Sequence, residues 1–529
     1  MSEQFADWSA EDMAEVIDDA GVPEGPTRVP DDAGEDEDGG VVLAHPSQPI
    51  KVARQLLTRW YHPDRSRLGF WKGDWQEWRE TCWNVLDEQD LRSEITLILE
   101  RAVWLKQEKG QPVQRIPWNP TPPTVSHVLR MLADVVTIKD EVEDGTWLDG
   151  GEHPEAVIPT RNGLLEYRAG QLHAHTPRYF SHYSLPFDYD PEARSARWED
   201  DFLSTVWPDD EGSKTVLQEW FGYTVSGHAD LEKMLYITGP RRSGKGTIAD
   251  TLGALMGGTK NVAAPMLNDL TKSFGLQSLL GKPLAIVADA RNSKNLDIQM
   301  VTQVLLAITG RDAIDIDRKH KPAMSVRLPT RFVLMSNEMI NFKDASHAIT
   351  GRMIPLQTEI SFFGREDKQL KLDVVKPEAL PGVLNWAIAG LLRLEEQGKF
   401  TEPESTRELR ASIEDDASPV DAFIDAMITI DPDGEMVCDD GTRAWDVWNG
   451  KDLYSAAYAI DRRTETTFWT SMKTALAARG VKITKVRRST GGKRCYSYVG
   501  IRFASPASPA DLHPLEVGRH WFEGQGTGE

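Results

Sequence analysis

The segment Met234-Leu-Tyr-Ile-Thr-Gly-Pro-Arg-Arg-Ser-Gly-Lys-Gly-Thr247 decides the fold of this 529-residue chain. Five residues, 234–238, read as a buried strand, and apolar residues at helical spacing follow the glycine-rich turn. In such a turn, glycines let backbone N–H groups approach a phosphate, and the helix N-terminus adds its positive end. The order of strand, loop and helix is typical of a phosphate-binding loop, called the P-loop below and defined as residues 239–247.

Within the P-loop, Lys245 is the residue expected to reach the β- and γ-phosphate oxygens. The next residue is Gly246, at the position where a Ser or Thr hydroxyl normally ligates Mg²⁺, so we expect Thr247 to take that role directly or through water. A chance glycine-rich turn is the alternative interpretation. The residues predicted to contact the nucleotide are Gly239, Pro240, Arg241, Arg242, Ser243, Gly244, Lys245, Gly246 and Thr247.

A carboxylate follows a second apolar run. Residues 284–288 read as a buried strand, and Asp289 comes directly after it. An ATPase needs such a carboxylate to hold the metal and to orient the attacking water. Two acids usually occur there in tandem, but here Ala290 follows, so Asp289 either serves both purposes or shares them with an acid elsewhere. An ordinary aspartate at a strand end would look the same.

Two further residues follow a third apolar run, 331–336. Asn337 at its end is suited to hydrogen-bond the γ-phosphate or the attacking water, although it equally fits a simple strand cap. Arg352 lies fifteen residues later. A guanidinium inserted at the γ-phosphate from a neighbouring subunit accelerates hydrolysis by about 10³–10⁵. The alternative for Arg352 is a surface ion pair.

Between the second and third apolar runs, alternating residues predict a β-hairpin over 314–326. Its tip carries consecutive cationic or titratable side chains, suited to a DNA backbone or, alternatively, to a solvated loop. The predicted DNA-contacting residues of this tip are Arg318, Lys319, His320 and Lys321.

The formal net charge of −22 at first argues against nucleic-acid binding, because phosphates are neutralised by Lys and Arg. Residues 1–40, however, hold fourteen Asp and Glu against one basic residue, Arg28. They carry −13, which leaves −9 for the other 489 residues. We expect an acidic tail over residues 1–45 that is disordered. This tail would either compete with DNA for basic surfaces or recruit a basic partner.

Composition excludes several classes of protein. The three cysteines, Cys82, Cys438 and Cys495, have no CxxC spacing, which argues against a disulfide framework and a cysteine-rich zinc site. No apolar run is long enough to span a membrane, and the acidic N-terminus does not resemble a secretory leader. We therefore expect a protein of the cytoplasm.

Changes in composition divide the chain. The predicted segments are an acidic tail (1–45), a Trp-rich accessory domain with helical stretches such as 90–107 (46–150), a mixed α/β segment (151–230), the ATPase domain (231–400), a linker with one helix (401–419), a DNA-binding domain (420–505) and a flexible tail (506–529).

The order and spacing of these motifs resemble the superfamily 3 helicases, specifically the phage and plasmid primase–helicase type. Segments around Arg161-Asn-Gly-Leu-Leu-Glu-Tyr, Leu185-Pro-Phe-Asp-Tyr-Asp-Pro and Thr309-Gly-Arg-Asp-Ala-Ile add to the resemblance, which covers about residues 150–400 specifically and 50–150 and 420–505 loosely. It implies an α/β fold with an AAA+-like parallel-sheet ATPase core, and ATP and Mg²⁺ as cofactors.

The resemblance also implies residue roles. Lys245 binds phosphate, Asp289 serves the Mg²⁺ and water position, Asn337 is the sensor and Arg352 is the finger that acts on the neighbouring subunit. Lys319 and His320 track single-stranded DNA in the channel of a ring, usually a hexamer. The region upstream is too short for a primase domain and lacks its paired acids and histidine, so any primase is expected to be a separate chain.

The C-terminal region fits a winged-helix-like DNA-binding domain. Residues 452–460 and 466–480 read as helices, and 481–488 with 494–503 read as a basic strand pair without acids near its turn. A winged helix for protein contacts is the alternative. The residues predicted to contact DNA are Lys485, Arg487, Arg488, Lys493 and Arg494.

The sequence thus predicts an ATP-dependent, ring-forming DNA helicase for replication of a phage, plasmid or mobile element, with a 3′–5′ direction taken from the family alone. One alternative is a P-loop ATPase that is not a helicase, such as a loader, a packaging motor or a defence ATPase. Another is an origin-binding initiator whose ATPase only switches assembly.

Overall fold

A computed structural model describes residues 41–290, 297–319, 321–337, 340, 342, 348–417, 419–448, 465–490 and 493–504. The chain is a mixed α/β protein of two compact units. The first comprises the described residues within 1–290, 307–338 and 356–404, and the second those within 291–306, 339–355 and 405–529. No helix in these described ranges is long and apolar enough to cross a membrane.

The helices are α1 (Pro49–Leu56), α2 (Glu88–Arg101), α3 (Pro122–Val135), α4 (Ser204–Val206), α5 (Glu211–Val225), α6 (Lys245–Leu255), α7 (Ile298–Thr309), α8 (Ala348–Arg352), α9 (Lys368–Val374), α10 (Leu380–Gln397), α11 (Glu404–Ala417), α12 (Pro419–Met427), α13 (Cys438–Trp448) and α14 (Glu465–Ala478). The strands are β1 (Leu68–Trp71), β2 (Asp74–Arg79), β3 (Cys82–Leu86), β4 (Val103–Lys106), β5 (Gln114–Pro117), β6 (Thr146–Trp147), β7 (Val157–Thr160), β8 (Gly163–Glu166), β9 (Gln171–His173), β10 (Tyr179–Phe180), β11 (Met234–Thr238), β12 (Val262–Ala263), β13 (Leu284–Val287), β14 (Ile314–Arg318), β15 (Lys321–Val326), β16 (Arg331–Ser336), β17 (Met353–Gln357), β18 (Ile428–Val437), β19 (Thr484–Thr490) and β20 (Lys493–Phe503).

The Trp-rich region contains more β-structure than the sequence predicts. Strands β1, β2 and β3 form an antiparallel meander, and the core beside it includes Trp60, Trp75 and Trp118. The helix predicted over 90–107 ends at Arg101, and the following residues form β4, paired with β5. Tertiary pairing with β5 overrides the helical propensity of this segment.

The start of the described chain corrects the predicted extent of the acidic tail. Leu43 is 4% exposed within the Trp-rich core, and its N–H donates to the Val103 carbonyl at 2.8 Å. The N–H of Val103 in turn donates to the Val41 carbonyl at 3.0 Å. Residues 41–45 are therefore folded, and the tail predicted for 1–45 is too long by at least these five; residues 1–40 lie outside the described chain.

Pairing across residue 150 joins the Trp-rich region to the segment that follows it. Strand β6 pairs with β10, and the N–H of Trp83 donates to the Ser181 carbonyl at 2.8 Å. In the segment that follows, β8 pairs with β9 and with β7, both in antiparallel register. A π-helical segment, Arg197–Leu203, then runs into α4.

The largest sheet among the described residues has five strands in the order β12-β13-β16-β11-β17, of which β12, β13, β16 and β11 belong to the first unit. Strands β12, β13, β16 and β11 are joined in parallel, and nearly all of their residues are buried because helices cover a parallel sheet on both faces. The predicted parallel α/β core is confirmed, with β11 and β16 at the predicted residues. The predicted hairpin is also confirmed, as β14 and β15 in antiparallel register.

The second unit ends in a small α/β domain with the sheet order β18-β20-β19. Phe423, Trp445, Phe468 and Tyr498 belong to its buried core. The predicted helix over 466–480 is confirmed as α14, and the predicted strand pair as β19 and β20; the predicted helix over 452–460 lies outside the described residues. Strand β18 was not predicted, because its Asp-Pro-Asp-Gly segment reads as a turn, which the strand accommodates by a register shift between Asp431 and Glu435.

Candidate functional site

The P-loop joins β11 to α6 through glycines in conformations that side chains disfavour. Gly239 has φ +147°, and a Cβ there would lie 2.0 Å from the carbonyl oxygen of Thr358. Gly244 has φ +95°, and a Cβ there would lie 2.8 Å from Cγ2 of Val206. The tight fit explains why this turn needs glycine at both positions.

Lys245 begins α6, and its side chain folds back over the loop. The Nζ atom donates to the carbonyl oxygens of Gly239 and Pro240, each at 2.7 Å, and to Oγ of Ser243 at 3.2 Å. Burial lowers the pKa of Lys245, and the residue is 8% exposed. The three acceptors are neutral, so phosphate oxygens would offer this ammonium a charged partner that these loop atoms do not.

Residues 358–362, for which the sequence predicts no role, form hydrogen bonds to the P-loop and to the end of β11. Oγ1 of Thr358 lies 2.6 Å from Oγ of Ser243, and the Thr358 N–H donates to the Thr238 carbonyl at 2.9 Å. Further along, the N–H of Phe362 donates to the Arg242 carbonyl at 2.8 Å. Thr358 is fully buried and lies 111 residues beyond the end of the P-loop, so no local sequence signal could have found it.

The parallel sheet brings Asp289 and Asn337 to the same edge as the P-loop. Registers pair Thr238 with Ser336 and Val287 with Leu334, so the residues that follow these strands reach one level. The N–H of Ala290 donates to the Met335 carbonyl at 2.8 Å, which extends the alignment beyond β13. Asp289 is exposed and Asn337 half-buried. The sheet therefore places both residues at the P-loop edge, whereas their chemical roles stay predictions.

The oxygen donors at this edge fit Mg²⁺ held together with a nucleotide. Thr247 lies half-buried in the first turn of α6, and a Cβ placed on Gly246 would meet nothing within 4 Å. Within the described ranges, no group of three or more His, Cys, Asp or Glu could hold a metal ion. Because Mg²⁺ is commonly bound by one or two protein oxygens and substrate phosphates, Asp289 and Thr247 would suffice with a nucleotide present.

Arg352 is the last residue of α8 and belongs to the second unit. It is half-buried, and its Nη1 donates to the carbonyl oxygen of Leu306 in the same unit. Its predicted action on a neighbouring subunit stays a prediction.

The basic hairpin differs from the prediction at Arg318. Its Nη1 donates to Oδ2 of Asp74 at 2.7 Å, and its Nε donates to the Pro322 carbonyl at 3.0 Å. The side chains of Arg318 and Asp74 are 9% and 16% exposed. Arg318 therefore braces the hairpin rather than presenting a charge to DNA. Lys319 is exposed as predicted, while His320 and the side chain of Lys321 lie outside the described residues.

The C-terminal strand pair holds one of its predicted DNA-contacting residues in an ion pair. Arg488 donates to Glu435 through Nε at 2.9 Å and Nη2 at 3.0 Å, and its contact with DNA stays a prediction. This hydrogen-bonded pair raises the pKa of Arg488 and lowers that of Glu435. Lys485 and Arg487 are exposed, and the side chains of Lys493 and Arg494 lie outside the described residues.

Comparison with known families gives two matches. Residues 54–208 match the family described as D5 N terminal like, and residues 237–352 match DUF5906, a family of unknown function. The second match contains Lys245, Asp289, Asn337 and Arg352. The first indicates relatedness to phage-type primase–helicase proteins over less than a third of the chain.

Solved structures of the NrS-1 C-terminal region are similar to this chain. Its A-form apo structure is 12% identical with a TM-score of 0.47, and the match covers 85% of this chain and 99% of that one. An apo structure of NrS-1 residues 305–718 is 13% identical with the same TM-score, over 86% of this chain and 99% of that one.

Proposed function

We propose that this chain is an ATP-dependent DNA helicase that forms a ring and acts in replication of a phage, plasmid or mobile element. One observation carries the proposal: β16, which Asn337 directly follows, lies between the P-loop strand β11 and the Asp289 strand β13. A polar side chain is thereby available between the phosphate-binding loop and the carboxylate, where an attacking water has to be oriented. The D5 N terminal like match and the basic hairpin support the same function.

Different groups of the chain have different roles in hydrolysis. The backbone N–H groups of the P-loop and the ammonium of Lys245 bind the phosphates, and Asn337 orients the attacking water. Mg²⁺, held by Asp289 and Thr247, would neutralise charge that develops on the phosphate oxygens. Arg352 from a neighbouring subunit would stabilise the same charge.

The exposed Lys319 side chain at the hairpin tip would contact the DNA backbone, while the bond from Arg318 to Asp74 stabilises the conformation of the tip. Hydrolysis would then move the hairpins along one strand. Lys319→Ala should therefore leave ATPase activity without DNA largely intact and reduce unwinding. Equal loss of both activities would mean that the tip is structural.

The test is ATPase activity and strand displacement on forked DNA, measured for the wild type, Lys245→Ala and Lys272→Ala. Lys272 is an exposed lysine paired with Asp269 at 2.8 Å, so its substitution controls for lost charge. Lys245→Ala should abolish both activities and Lys272→Ala neither. Unchanged ATPase activity in Lys245→Ala would contradict the site. ATPase activity without strand displacement would favour a loader, packaging, defence or origin-binding ATPase.

A further inference from the structure

The hairpin formed by β19 and β20 has two chemically different faces. The register pairs Lys485 with Tyr498 and Arg487 with Tyr496, and directly opposed residues project from the same side of a sheet. Arg488 is paired with Cys495, so it projects from the other side. One face therefore combines two cations with two aromatic rings.

Helix α14 completes this face. The Trp469 ring stacks on Tyr498 with centroids 4.5 Å apart, which fixes the helix against the hairpin. Lys473, one turn further along α14, has its Nζ 5.1 Å from the Tyr498 ring centroid. Tyr498 itself is 2% exposed and belongs to the core, so it anchors the face rather than offering a contact.

Tyr496 is the exposed aromatic residue of this face. It is 50% exposed, and Nζ of Lys485 lies 4.7 Å from its ring centroid. An exposed ring can stack on another aromatic ring, and the cation beside it attracts an anion. A nucleotide offers both properties, a phosphate and a base.

Within the described part of the chain, the charge of this face is uncompensated, unlike that of its reverse side. Across the described residues, no carboxylate is paired with Lys473, Lys485 or Arg487, and all three are exposed. On the reverse side, Glu435 neutralises Arg488. A polyanion would therefore bind the α14-facing side of the hairpin and not its back.

We propose that Lys473, Lys485, Arg487 and Tyr496, together called the basic–aromatic face, bind single-stranded DNA. Tyr496 stacks on one base, and the three cations contact phosphates on either side of it. Stacking on an aromatic side chain requires an unpaired base, which distinguishes this mode from readout of a duplex. The inference rests on the proposed function only in taking DNA as the partner.

The experiment measures binding of a labelled oligo(dT) of about 20 nucleotides to the full chain by fluorescence anisotropy, at about 50 mM and about 200 mM salt. All variants carry Lys319→Ala, which removes the hairpin-tip contact. Tyr496→Ala should weaken binding about 10-fold and Tyr496→Phe hardly at all, because the phenyl ring retains stacking. Arg488→Ala is the matched control and should bind like its parent.

The salt dependence of DNA affinity distinguishes the contribution of the cations from that of the stacking ring. Lys485→Ala or Arg487→Ala should lower the slope of log affinity against log salt by about 0.7, whereas Tyr496→Ala should leave the slope unchanged. Equal affinity of Tyr496→Ala and its parent for oligo(dT), or equal losses for oligo(dT) and a duplex of the same length, would overturn the proposal. ATPase activity measured without DNA reports on the proposed function separately, because these four residues lie in a domain that contains no part of the P-loop.

Discussion

Arg318 and Asp74 form a nearly buried ion pair that joins the tip of the basic hairpin to the start of β2 in the Trp-rich region. Nη1 and Oδ2 are 2.7 Å apart, and the same guanidinium bonds the Pro322 carbonyl across the tip. Lys319, the next residue, is exposed, and its N–H donates to Oε1 of Gln277 at 3.2 Å. The hairpin is thus supported from two other segments of the same unit.

Asp74→Ala should destabilise the protein markedly, because it leaves the Arg318 charge buried without its partner. Removing one member of a buried ion pair costs about 3–5 kcal/mol, whereas exposed pairs contribute about 0–1 kcal/mol. The control is Glu94→Ala, which breaks the exposed pair with Arg59. Urea denaturation should show a large fall in the unfolding midpoint for the first variant only. Equal small effects would mean that the pair at the hairpin is not a brace.

Thr358→Val should weaken ATP binding, because it removes the hydroxyl that holds Ser243 and, through it, Lys245. A lost hydrogen bond of this kind costs about 1 kcal/mol, so we expect KM for ATP to rise about fivefold with a smaller change in kcat. Ser361→Ala is the control, since the half-buried Ser361 hydroxyl donates to the Arg241 carbonyl at 2.9 Å and accepts from the Phe363 N–H at 3.4 Å. Similar KM values for the two variants would argue against a positioning role for Thr358.

Mixing two inactive variants tests whether Arg352 acts across subunits. Lys245→Ala and Arg352→Ala should each lose about 10³-fold or more in ATPase rate. Oligomers assembled from both variants contain some interfaces with an intact Lys245 and an intact Arg352, so mixing should restore part of the rate. Titrating one variant into the other measures this rescue. Absence of rescue in mixed oligomers would assign both residues to one subunit's site.

Acid stability should depend on Asp373. Hydrogen bonds, chiefly from Lys376 and then from Gln369, lower the pKa of Asp373 from 3.8 to about 2. A carboxyl with a lowered pKa stabilises the folded state above its ordinary pKa and loses that contribution as pH falls toward the folded value. Asp373→Asn should therefore flatten the decline of Tm between about pH 4 and about pH 2. An equally steep decline of Tm in Asp373→Asn and in the wild type would contradict this contribution.

Removal of the acidic tail tests its competition with DNA. Deleting residues 1–40 removes −13 of charge and keeps Leu43, whose burial would confound a longer deletion. If the tail competes for the basic surfaces, affinity for oligo(dT) should rise about threefold or more at about 50 mM salt and converge with the wild type at high salt. Unchanged affinity at low salt would leave the tail a role in solubility or in binding a partner protein.

Local sequence was sufficient to predict the strands that precede the P-loop, Asp289 and Asn337. Each follows a short, mostly apolar run, and such runs form buried parallel strands whatever their order in the sheet. The hairpin and the C-terminal strand pair were predictable for a similar reason, since alternation and a turn signal are local properties. The same local signals misread residues 102–107, where pairing with β5 prevails.

The sequence by itself determined the chemical inventory of this protein: a glycine-rich loop with its lysine, a carboxylate and an asparagine after two further strands, two basic strand pairs and an acidic tail. Only the tertiary structure decided which of these groups are bound to partners within the protein and which are exposed to solvent. It pairs Arg318 with Asp74 and Arg488 with Glu435, leaves Lys485 and Tyr496 exposed, and brings Thr358 behind Ser243. The physical reason is that a charge or hydroxyl finds its partner through space, and these partners lie tens to hundreds of residues away along the chain.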